Sequence, residues 1–203
     1  MLIPTWFAIV YLVTILSFIV LMYIASGDFS KRPFFRRTVS SLGEKGRLGN
    51  KIFNPILSFM GVLNMLMAYF LYTNLPKNIL TFLGAGFLFI GCIANIFIGV
   101  LYKGRKLHDT LAVIVFGGYL VSSLFLAYPL VISKMIPNWI MVVFDFFLLI
   151  TVIFVIGSMK YKDPVWYDLP KKPLRKNFPF WQWMIFIAAF LWLAILFLIL
   201  FLA

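Results

Sequence analysis

Six apolar runs divide this chain of 203 residues, at about 2–25, 53–75, 79–102, 110–132, 137–159 and 180–203. Each is close to the ~20 residues an α-helix needs to cross ~30 Å of hydrocarbon. No water is available there to exposed amides, so each run must bond its backbone internally, as a helix does. The expectation is an all-α, polytopic membrane protein: one six-helix domain over residues 1–203. Hydrophobic residues make up 64% of the chain, against about 45–50% in ordinary soluble domains, and a water-soluble core has no room for that excess. The first run lacks a basic leading segment and is longer than the ~7–15 apolar residues of a signal peptide, so it is expected to be a retained helix.

Basic residues are divided unevenly among the connecting segments. The first, 26–52, holds Lys31, Arg32, Arg36, Arg37, Lys45, Arg47 and Lys51; the third, 103–109, holds Lys103, Arg105 and Lys106. The fifth, 160–179, holds Lys160, Lys162, Lys171, Lys172, Arg175 and Lys176, leaving only Lys77 and Lys134 for the second and fourth. Short loops rich in Lys and Arg stay on the cytoplasmic side. Odd loops therefore face in and both termini face out, with the plasma membrane as the expected location. The net charge of +12 then reads as attraction to anionic lipid headgroups, through Arg36, Arg37, Lys45, Arg47, Lys171, Lys172 and Arg175, and not to nucleic acid.

Within Ser30 to Leu42, Phe35, Val39 and Leu42 recur at helical spacing beside Arg36 and Arg37, which fits a short interfacial helix or a disordered basic loop. Pro164, Pro170, Pro173 and Pro179 keep the fifth loop extended, and Trp166, Tyr167, Trp181 and Trp183 read as interfacial anchors. The stretch Gly43 to Lys51 lacks the strand and pattern of a phosphate loop; it reads as a flexible basic turn or as a cradle for a lipid phosphate.

Helices in lipid associate where small residues let backbones approach. Gly84, Gly91, Asn95 and Gly99 follow one face of the third run, Gly61, Asn64 and Ala68 one face of the second, and Gly117, Gly118, Ser122 and Ser123 mark the fourth. Runs two to four are expected to form the tight centre. The sixth, uniformly bulky and apolar, is expected to face lipid or a partner subunit.

Few residues could carry chemistry. Asp145 lies deep in the fifth run, where a central charge costs about 2.5–3.5 kcal/mol. It reads either as an ion or proton site or as a neutral carboxyl that specifies packing by bonding Asn64, Asn95 or Ser122. His108 with Asp109 could supply a general base or order the interfacial start of the fourth helix. As the only histidine, His108 cannot provide bis-histidine haem ligation within the chain. Cys92, the only cysteine, is mid-membrane and reads as inert packing. No cofactor and no metal site is expected.

Two segments are familiar together: Ser40, Ser41, Leu42 and Gly43 leading through Phe53, Asn54 and Pro55 to Gly61, and Gly99 followed by His108 at a helix start. They resemble a family of six-helix membrane proteins known as domain of unknown function 998, itself similar to the FRAG and DRAM group. The resemblance brings no established activity. It implies that Ser41, Leu42, Gly43, Asn54 and His108 converge on one membrane face. Three readings of function remain open: a non-enzymatic accessory or scaffolding subunit or lipid-associated bundle with a basic inner face; a small transporter or proton-linked channel centred on Asp145; and a lipid-modifying enzyme using His108 and Asp109. The expected partners are anionic lipids and other membrane subunits.

Overall fold

The computed structural model describes residues 2–26, 39–43, 48–100, 105–133, 149–154, 156–157, 160 and 178–202. The described secondary structure is entirely helical: α1 (Thr5–Ser26), a short 3-10 helix (Val39–Gly43), α2 (Leu48–Asn74), α3 (Ile79–Val100), α4 (Arg105–Ile132), α5 (helical residues 149–154) and α6 (Phe178–Leu202). Five of these, α1 to α4 and α6, are long and apolar enough to cross a membrane. The chain is a multi-pass integral membrane protein. The run at 137–159 falls largely outside the described residues, as do Asp145 and the basic side chains Arg36, Arg37, Lys45, Arg47, Lys171, Lys172 and Arg175.

Two helices start earlier than their apolar runs. α2 begins at Leu48 instead of 53, and α4 at Arg105 instead of 110. Hydropathy locates the stretch that sits in hydrocarbon, whereas a helix can continue past it; at α4 the added residues include Arg105, Lys106 and Leu107, good helix formers. α2 also runs through Pro55 and α4 through Pro129.

The two ends of the bundle are fixed by hydrogen bonds. At one, Leu2 N donates to Leu200 O at 2.9 Å, and Asn74 Nδ2, closing α2, reaches Leu2 O at 3.5 Å. At the other, Val39 N donates to Gln182 Oε1 at 3.0 Å, and Asn50 Nδ2 donates to Gly43 O at 2.8 Å. This second end receives the Lys- and Arg-rich segments and is called the basic end below. The 3-10 helix does not lie on the lipid surface. Val39 and Leu42 are buried with Phe18, Phe53 and Trp183, so these two of the apolar positions legible in the sequence serve an internal contact, while Phe35 lies outside the described residues; Trp183 is packing and not an interfacial anchor.

α3 packs most extensively on α4 and nearly as much on α2, the centre expected from the small residues. A Cβ at Gly61 would lie 2.7 Å from Ile96 Cγ1, one at Gly84 2.7 Å from Leu126 Cγ, and one at Gly91 3.0 Å from Tyr119 Cδ1; at Gly99 it would collide with Ser58 and the Asn54 carbonyl. Gly117 is a correction. A Cβ there would meet nothing within 4 Å among the described residues, and it is Gly118 that abuts α3, with Phe87 O at 2.8 Å and Gly91 Cα at 3.0 Å from its notional Cβ. Two adjacent glycines point about 100° apart on a helix, so only one can face a given neighbour.

α6 corrects a second expectation. It has the largest buried share of the five spans, 44%, and α1 the smallest, 28%. Trp183, Trp192, Leu196, Phe197 and Leu200 are all buried, and Phe197 stacks on Tyr11 of α1 with ring centroids 4.6 Å apart. Small residues are one route to contact in lipid; dispersion between interdigitated large side chains is another, and α6 uses it.

Candidate functional site

Between α1, α2, α3, α4 and α6 lies a partly open cavity. Its polar lining at the basic end comes from Asn54 of α2, His108 in the first turn of α4 and Gln182 near the start of α6. Further in, Leu57, Ile98, Ala112, Val115 and Phe190 make an apolar barrel, and Asn64, Tyr119 and Leu193 lie deepest. Ten residues of α2 separate Asn54 from Asn64 and eleven of α4 separate His108 from Tyr119. At a rise of 1.5 Å per residue both give a depth of about 15–16 Å, half of a hydrocarbon core.

The polar groups at the basic end are held in place. Asn54 Nδ2 donates to Gly43 O at 3.2 Å, and Gln182 Oε1 accepts from Val39 N. The 3-10 helix is thus bonded to both α2 and α6. Asn54 and His108 meet at this end together with the Leu42–Gly43 segment, while the side chain of Ser41 lies outside the described residues. His108 and Asp109 are half-buried in the first turn of α4.

Deeper in, Asn64 accepts from Tyr11 Oη at 2.7 Å, a buried bond between α1 and α2. Asn95 Nδ2 donates to Leu57 O at 3.2 Å. These two asparagines, expected beside Asp145, are therefore engaged with Tyr11 and with the α2 backbone. Cys92 is fully buried next to them and does not line the cavity. Among the described residues no three of His, Cys, Asp and Glu gather in a way that could hold a metal ion.

Three contributors were not singled out from the sequence. Gln182 is the only glutamine in the chain and sits at the start of the most apolar helix, which is a usable signal. Tyr11 and Tyr119 are two of nine tyrosines, and nothing local distinguishes them from interfacial ones. Chemically, the arrangement is a long apolar slot with a few convergent polar groups, the form of a small-molecule site. No protein-family model, curated protein or solved structure matches this chain.

Proposed function

We propose that this protein binds an anionic amphiphile, whose headgroup sits at the basic end and whose chain occupies the cavity. One observation carries this reading: Asn54, His108 and Gln182 line the slot at the same end to which the Lys- and Arg-rich segments attach, while its deeper walls are apolar. A charged headgroup is attracted by about 1 kcal/mol per nearby Lys or Arg, and a hydrocarbon chain finds apolar contact below. Of the three readings open in the sequence, the lipid-associated bundle is the one the cavity supports.

The protein of this reading crosses the membrane six times with both termini outside. Support comes from parity. Leu2 and Leu200 meet, so the chain starts and finishes at one end of the bundle; α4 finishes at that end and α6 starts at the other, which calls for a further crossing between them. The run at 137–159 is the segment of suitable length. Thr151 lies near Tyr119 around a small cavity, and a Cβ at Gly157 would sit 2.6 Å from Trp181 near the start of α6, which is the direction such a crossing needs.

Two experiments test the proposal. In native mass spectrometry of protein extracted in mild detergent, anionic phospholipid is expected to remain bound. Ala112→Phe, which fills the slot one turn deeper than His108, is expected to lose it while keeping the melting temperature within a few degrees. Retention by that variant equal to wild type would overturn the cavity reading. For orientation, in a Cys92→Ser background, Thr5→Cys and Lys77→Cys are expected to react with an impermeant thiol reagent on intact cells, whereas Lys45→Cys and Lys172→Cys stay protected; the reverse pattern would invert the topology.

A further inference from the structure

We infer that the slot is a length gauge: it takes a saturated chain of about twelve carbons, and Leu193 of α6 sets the limit. The inference rests on the reading of the cavity as an amphiphile site and names the ligand class within it. Three helices give the same depth. The lining runs from Asn54 to Asn64 on α2, from His108 to Tyr119 on α4 and from Gln182 to Leu193 on α6. At 1.5 Å per residue each of these spans is about 16 Å. A hydrocarbon chain with every bond staggered and extended advances roughly 1.3 Å per carbon, so about twelve carbons fill that depth.

The slot stops abruptly at its deep end. Met67, Cys92, Ser122 and Leu196 lie one turn beyond Asn64, Asn95, Tyr119 and Leu193 on α2, α3, α4 and α6; all four are 0% exposed, and none of them lines the cavity. This floor is also braced. Tyr11 Oη donates to Asn64, Asn95 Nδ2 donates to Leu57 O, and the Tyr119 ring lies against Gly91 of α3. A chain tip pressing further in would have to break a buried hydrogen bond or part close-packed helices. Leu193 differs from its neighbours on the floor: it is aliphatic and contributes bulk alone, so trimming it deepens the slot without unmaking a bond. A shorter chain leaves the deep end without contacts. A longer one, membrane phospholipid included, stands partly outside with its headgroup lifted from the polar end.

The test uses the full-length protein in mild detergent, with octanoate, decanoate, laurate, myristate and palmitate each presented at the same mole fraction in the detergent. Loading is read by native mass spectrometry. Wild type is expected to load laurate best, roughly tenfold over palmitate, the effect of one net hydrogen bond at the polar end. Leu193→Ala, which deepens the slot, is expected to move the optimum to myristate, and Leu193→Phe, which shortens it, to decanoate. The readout is which chain loads best and not how much protein survives, so a less stable variant still reports. Wild-type loading that rises or stays level from laurate to palmitate overturns the length gauge and leaves the cavity reading standing. An optimum that stays at laurate in both variants also overturns it, because the limit is then set elsewhere. Loading of none of the acids overturns the cavity reading itself.

Discussion

Gly118→Leu is expected to abolish the folded bundle, while Gly117→Leu, one residue away, leaves it standing. A Cβ at Gly118 meets the Phe87 carbonyl at 2.8 Å and the Gly91 backbone at 3.0 Å. Backbone cannot rotate aside as a side chain can, so α3 and α4 must separate. Overpacking a core costs about 1–3 kcal/mol when side chains can adjust. Here the whole α3–α4 contact, the most extensive in the protein, is at stake, and the effect should exceed that range. A Cβ at Gly117 meets nothing within 4 Å among the described residues, so a leucine there starts without a clash. The measurement is the monodisperse yield and thermal stability of each variant in the same detergent. Equal losses at the two positions, or a stable Gly118→Leu protein, would contradict the assigned contact.

The second large effect is expected in α6. Leu196→Ala should destabilise the protein by about 2–5 kcal/mol, the usual range for emptying a buried leucine site, and Leu198→Ala by well under 1 kcal/mol. Leu196 has no exposed surface, while Leu198 is 47% exposed. In a membrane the outer leucine gains little over alanine, because lipid tails already match its chemistry. The inner one leaves a void that lipid does not fill, next to Phe197 and its stacking partner Tyr11. Thermal unfolding monitored by size-exclusion chromatography separates the two. Similar melting temperatures for both variants would restore the view of α6 as a lipid-facing helix.

These two contrasts show where residue patterns suffice and where they stop. Gly61, Gly84, Gly91 and Gly99 were legible as contact positions because a helix in lipid has few other reasons to carry glycine on one face. Between Gly117 and Gly118 the pattern is mute, since the choice depends on the rotation of α4 about its axis, set by all of its neighbours at once. Bulk in α6 reads as facing lipid or a partner subunit because lipid and a protein interior select the same apolar side chains; only the position of α1 and its Tyr11 distinguishes them. The polar end of the cavity was half visible, through Asn54 and His108. Gln182 completes it only once α6 is folded back beside the Val39–Gly43 segment.

What the amino-acid order determines alone is the solvent and the element type: apolar runs of spanning length, with no water to satisfy an amide, leave helices crossing a bilayer, and flanking Lys and Arg set the direction in which they are expected to cross. These are properties of each segment against its surroundings, and they need no knowledge of the other segments. Tertiary structure decided which faces meet, that Asn64 accepts from Tyr11 and Asn95 donates to the Leu57 carbonyl, and that a slot remains between α1, α2, α3, α4 and α6 with Tyr119 at its deep end. A cavity is the space that several packed helices fail to fill, so it depends on their joint arrangement and is written in none of them singly.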